Sequence, residues 1–104
     1  MKKRIFINDI KAKEIGYKIR LFEAAELFGL KGIHIKDTDS GVEAFIEGDV
    51  LNMKNFLSNI GNMFNLNLVK IEDYYGNVMS LEGFYRILVL EQLNKLLELI
   101  RQKE

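Results

Sequence analysis

The sequence predicts a small α+β sandwich with helices covering one face of a mainly antiparallel sheet. Three observations carry that expectation. Four short stretches carry strand signals, and two longer stretches between them repeat apolar residues at helical spacing. Their order along the chain is β-α-β-β-α-β. A turn-forming run, Asp37-Thr38-Asp39-Ser40-Gly41, joins the two middle strands as a hairpin. At 104 residues the chain has material for one modest core and too little for two.

Residues 4–10 read as the first strand, rich in β-branched and aromatic side chains. Residues 17–28 read as a helix with Ile19, Phe22, Ala25 and Phe28 in one apolar stripe, Lys18, Glu23 and Glu26 outside it, and Gly29 as its C′ residue. Residues 32–36 alternate Ile33, His34, Ile35 and Lys36, and residues 42–47 complete the hairpin. Asp49 suits the N-cap of a second helix, in which Met53, Phe56 or Leu57, Ile60, and Met63 or Phe64 keep helical spacing. Residues 66–74 alternate again. This is the split βαβ order of a ferredoxin-like sandwich.

Composition excludes several classes of function. Hydrophobic residues make up 48% of the chain, and fifteen basic residues balance fifteen acidic ones. The balance gives no electrostatic reason to bind nucleic acid or an anionic membrane. With no cysteine there is no disulfide, thiol nucleophile or thiolate metal site. The basic start Met1-Lys2-Lys3-Arg4 is followed by too short an apolar run for a signal peptide, and no segment is long and apolar enough to span a membrane. A cytoplasmic protein without metal or organic cofactor is expected.

The segment Lys13-Glu14-Ile15-Gly16-Tyr17-Lys18 opens the first helix, where unpaired backbone amides and the helix dipole favour an anion. Gly29-Leu30-Lys31-Gly32 follows the helix, and Val42-Glu43 follows the hairpin turn. Together these segments, over residues 3–74, resemble the acylphosphatase family. Its pattern is a Gln-Gly-Val-Gly-Phe-Arg loop, a helix, Gly-Leu-x-Gly, a strand ending in Asn, and Gly-x-Val-Glu. The resemblance implies an acylphosphatase-type sandwich over residues 1–88, with a short fifth strand at Phe84–Leu88. Residues 89–104 then form an appended helix within the same globule.

In that family the loop amides cradle an acyl phosphate, an arginine clamps its oxygens, and an asparagine orients the attacking water. The register places Lys18 on the arginine and Lys36 on the asparagine, so no catalytic position is intact. An ammonium lacks the planar fork of a guanidinium. A protonated lysine offers donors only, whereas the amide both donates to and accepts from water. Glu14, where the family has glycine, adds a carboxylate beside the cradle. The resemblance therefore implies a non-catalytic domain with a weak phosphate or carboxylate site at Lys13–Lys18. Residual acylphosphatase activity is the alternative enzyme reading.

The last helix carries Leu90, Leu93, Leu97 and Ile100 in one line, with Leu96 beside them. Alone in water so short a helix is marginal, and the stripe requires cover. Docking on the chain's own sheet or its edge is the favoured reading. A protein-interaction module that pairs as a homodimer through this helix is the other. His34 stands alone with no second metal ligand, and Asp37 and Asp39 read as turn formers. Tyr74, Tyr75, Phe84 and Tyr85 form an aromatic cluster that lacks the basic surround nucleic acid demands. Cover by the last helix is the expectation for those rings.

Overall fold

The chain's architecture, given by a computed structural model that describes residues 1–103, follows the expected order with one change at its end. Strand β1 (Lys2–Ile7) leads through a 3₁₀ turn (Ile10–Lys13) into helix α1 (Ile15–Leu27). Hairpin strands β2 (Gly32–Asp37) and β3 (Val42–Glu47) precede helix α2 (Val50–Met63). A second 3₁₀ turn (Leu66–Leu68) enters β4 (Val69–Asp73), and helix α3 (Leu81–Gln102) ends the chain. The sheet order is β2-β3-β1-β4, and every neighbouring pair is antiparallel.

Strand alternation splits the sheet into two faces. Ile5 and Ile7, Ile33 and Ile35, and Val42, Ala44 and Ile46 point into the core beneath α1 and α2. There they meet Leu21, Phe22, Ala25, Met53, Phe56 and Ile60. The stripe that α1 buries is turned from the expected one. Lys18, Leu21, Phe22 and Ala25 are inside, while Ile19 and Phe28 are only half-buried. The turn arises because α1 is covered on two sides, by the sheet and by α3.

Local chemistry sets the element ends. Asp49 caps α2 by accepting from the Asn52 amide at 2.8 Å. Gly29, at φ 70°, closes α1 in a Schellman turn, with Leu30 N donating to Ala25 O at 2.9 Å and Gly29 N to Glu26 O at 3.1 Å. At Gly41 a Cβ would collide with the Ile7 carbonyl and the Asp9 amide, so the hairpin turn can close over the end of β1 only with glycine there.

Three boundaries differ from expectation. The first strand stops at Ile7, because Asp9 caps a 3₁₀ turn by accepting from Lys11 N, and Ile10 lies exposed on that turn. The last strand starts at Val69, because Asn65 caps a 3₁₀ turn over Leu66–Leu68. The expected fifth strand at Phe84–Leu88 is helix. Ser80 accepts from the Gly83 amide and starts α3, and Phe84 and Leu88, one turn apart, are buried together. Only a single bridge from Ser80 to Gly32, with Ile33 N donating to Met79 O at 2.9 Å, lies along the edge of β2. The expected division at residue 88 therefore falls inside one continuous helix.

Phe84 fastens the start of α3, touching Phe22 of α1 and His34 of β2, and is 1% exposed. Phe84→Ala should cost about 3–5 kcal/mol of unfolding free energy, read as a lowered denaturant midpoint with little change in slope.

Candidate functional site

Several amides of the predicted anion loop donate to its own backbone. Ala12 N donates to Asp9 O, Glu14 N to Lys11 O, and Tyr17 N and Lys18 N both to Glu14 O, at 2.9–3.3 Å. The 3₁₀ turn thus runs directly into α1, with Glu14 as a cap residue that makes no side-chain cap bond. Ile15 packs against the core and Tyr17 stacks on Phe64 at 5.5 Å between ring centroids. Lys13 ends the 3₁₀ turn, and Gly16 is exposed with open space around its Cα.

Lys18 is the one buried charged residue among the described residues, at 5% exposure. Its Nζ lies 2.9 Å from Asp37 Oδ1, at the end of β2, and donates to Glu91 Oε1 of α3 at 2.8 Å. Burial lowers the pKa of this ammonium, but the hydrogen bonds and charges of Glu91 and Asp37 outweigh burial and hold it above the ordinary lysine value. It is therefore charged at neutral pH, and it faces two carboxylates. An acyl phosphate approaching Lys18 meets excess negative charge.

Lys36 does not join Lys18. It alternates with Ile35 and so lies on the opposite face of the sheet, its Nζ 5.5 Å from the centroid of the Phe45 ring. The strand residue that shares the face of Lys18 is Asp37. Counting motif letters gave Lys36, whereas the alternation that buries Ile33 and Ile35 points to residue 37. Glu91 had no local signal, being 73 residues from Lys18 in sequence.

The aromatic group predicted between residues 74 and 85 disperses. Phe84 is buried, and Tyr85 lies half-open against Phe22 at 5.8 Å. Tyr74 sits over Phe45 on the open sheet face at 4.8 Å, and Tyr75 is 89% exposed. Arg4 and Lys70 flank Phe6 on that open face and both pair with Glu72. Hydrogen bonding from Lys70, and then from Arg4, holds the Glu72 carboxyl below its usual range.

The expectation that the leucine stripe docks on the chain's own sheet is overturned. Leu90, Leu93, Leu97 and Ile100 remain 61%, 49%, 49% and 50% exposed. Only Phe84 and Leu88 of α3 are buried, because the side of the helix that faces the body is the side carrying Glu91.

No protein-family model and no curated protein matches the chain. Among solved structures, it is similar to an acylphosphatase from Bacillus subtilis with a TM-score of 0.58 and 19% identity, over 77% of this chain and 94% of that one. The fold is therefore acylphosphatase-like, α+β and ferredoxin-like, with a carboxy-terminal helix. No helix of the described residues is long and apolar enough to cross a membrane. No group of three or more His, Cys, Asp or Glu among them could hold a metal ion.

Two predictions follow from this chemistry. A double-mutant cycle of Lys18→Met and Glu91→Gln should give a coupling of about 1–3 kcal/mol in denaturant unfolding. Because the folded pKa of Lys18 is raised, its contribution is complete below the ordinary lysine value and is lost as pH rises through the folded one. The coupling should therefore hold at pH 7–9 and shrink above about pH 10.5. His34 is shifted the other way, first by burial and then by the charge of Lys36. Its neutral form is favoured by folding, so that contribution is present above the ordinary histidine value and lost as pH falls through the depressed one. An NMR titration should show the His34 pKa rising toward 6.5 in Lys36→Gln, with the buried fraction of the shift remaining.

Proposed function

We propose that this chain is a hydrolytically silent acylphosphatase-like domain whose working part is the leucine face of α3. The observation that carries this reading is the pairing of Lys18 with Asp37 and Glu91 at 2.9 and 2.8 Å. At the position where the resemblance expects a phosphate clamp, the side chain instead joins α1 to β2 and α3. Binding a phosphate there would require a carboxylate to leave a buried cation, and separating such a pair is costly.

Two further observations support the same reading. Lys36, on the far face of the sheet, cannot hold water for attack beside Lys18. The amides of Glu14, Tyr17 and Lys18 already serve the 3₁₀ turn and the first turn of α1, which removes three of the six amides of residues 13–18 from a cradle. In-line transfer from an acyl phosphate depends on positioning and charge stabilisation, and neither is assembled here. The likeness to the Bacillus subtilis acylphosphatase at 19% identity bears on the fold alone.

The test is hydrolysis of a small acyl phosphate by wild type and by Lys18→Arg/Lys36→Asn. Both should match buffer, because Asp37 and Glu91 hold residue 18 in either protein. Inorganic phosphate should leave the amide resonances of residues 13–18 unmoved. Turnover by wild type that phosphate inhibits and Lys18→Met abolishes would show that the domain is an enzyme.

A further inference from the structure

Helix α3 is 22 residues long, about 33 Å at the usual rise, within a molecule whose longest extent is 50 Å. It is docked as far as Glu91 and the rest extends past the body. Around the helix axis, at about 100° per residue, Phe84, Leu88 and Glu91 fall within roughly 60° of arc. Leu90, Leu93, Leu96, Leu97, Leu99 and Ile100 fill roughly the opposite half, centred about 150° from the docked side. All six are 49–61% exposed. Between Val89 and Gln102 the charged residues Glu91, Lys95, Glu98 and Arg101 lie outside that apolar half. The body cannot fold back over it while Glu91 is held by Lys18.

Resting on the interaction reading above, we infer that this face is covered by the same face of a second copy of the chain, the two α3 helices packing antiparallel about a two-fold axis. The spacing of Leu90, Leu93, Leu97 and Ile100 is that of heptad positions a and d. Antiparallel pairing sets Leu90 opposite Ile100 and Leu93 opposite Leu97, so each row fills the other. The same register brings Asn94 against Asn94 and Leu96 against Leu96 near the axis. Two amides can each donate and accept there. At the rim, Ile87 meets the stem of Arg101 and Val89 that of Lys103, and no like charges face each other. A parallel pair would instead set Asn94 and Arg101 against Val89 and Leu96, leaving polar groups on apolar ones.

The neutral formal charge of the chain removes long-range repulsion between copies. A lipid surface fits less well. Interfacial helices carry a strongly basic polar face, whereas Glu91 and Glu98 here alternate with Lys95 and Arg101. The free stretch Gln92–Gln102 is 11 residues, fewer than the roughly 20–30 a standard interface uses per side, so self-association should be micromolar rather than tighter.

Sedimentation velocity of the full chain, from about 1 to 300 μM, should show a monomer converting to a dimer. Leu93→Glu/Leu97→Glu should remain monomeric throughout with its helical circular dichroism intact. The chain has no cysteine, so orientation can be read by mild oxidation. Asn94→Cys should cross-link to itself readily, and Arg101→Cys should not. Equal cross-linking at both positions would overturn the antiparallel pair. A wild-type monomer over the whole range would overturn the second copy as occupant, and so would a monomer that binds anionic vesicles through Leu93 and Leu97. Amide exchange on that monomer separates the two levels. Slow exchange over residues 93–102 would leave the presented helix standing, with another partner. Exchange at unfolded rates would remove the interaction reading as well.

Discussion

The contact on which the rest of this structure depends is the buried ammonium of Lys18 between Asp37 and Glu91. One side chain holds three elements that are remote in sequence, α1, β2 and α3. Removing a lysine from water costs several kcal/mol, and a single exposed carboxylate returns little of it. Two carboxylates at hydrogen-bond distance return more, and the raised pKa of Lys18 records that their effect exceeds the burial penalty. The net stabilisation of such a group is modest, and its larger effect is on geometry. With Phe84, Leu88 and Glu91 all inward, the rotation of α3 about its own axis is fixed. That rotation alone decides which half of the helix faces outward.

Much of the fold was legible because short-range rules fix it. Asp49, Gly29 and the hairpin turn end elements through bonds to residues a few positions away, and those signals sit in the sequence itself. The sheet order follows from the β-α-β-β-α-β pattern. What was not legible involves choices made by tertiary contact. Phe84 to Leu88 suit a strand or a helix equally well by composition, and the Ser80 cap together with burial at i and i+4 selects helix. Motif counting placed Lys36 in the site. The two-residue period that buries Ile33 and Ile35 puts Asp37 there, and in a strand a slip of one residue exchanges the faces completely. The partner of Lys18 on α3 could not be read at all, since no periodicity links positions 18 and 91.

In the proposed reading, a fold persists after its site has gone. An anion cradle needs free amides, a fork of donors and a positioned water. In the reading proposed above, the amides of Glu14, Tyr17 and Lys18 are used to join a 3₁₀ turn to a helix, and the ammonium of Lys18 faces two carboxylates. On the other face of the sheet, Lys36, Arg4 and Lys70 lie over Phe45 and Phe6, and Glu72 binds two of them. Arg4 and Lys70 are thus paired, while Lys36 covers Phe45 with no carboxylate at ion-pair distance among the described residues.

The Lys18–Glu91 pairing and the apolar face are linked thermodynamically. The free half of α3 is built mostly from Leu, Glu, Lys, Gln and Arg, good helix formers, yet a segment of that length is marginal when nothing packs on it. Its first turns, fixed by Phe84, Leu88 and Glu91, supply a nucleus from which the remaining turns propagate. Covering the leucines in turn stabilises the helix that carries Glu91, and so favours the pairing with Lys18. Coupling of this kind is reciprocal by necessity. Under the proposed helix pairing, whatever weakens the Lys18–Glu91 contact lowers affinity at the leucine face, and occupation of that face raises the stability of a buried ion pair on the opposite side of the helix.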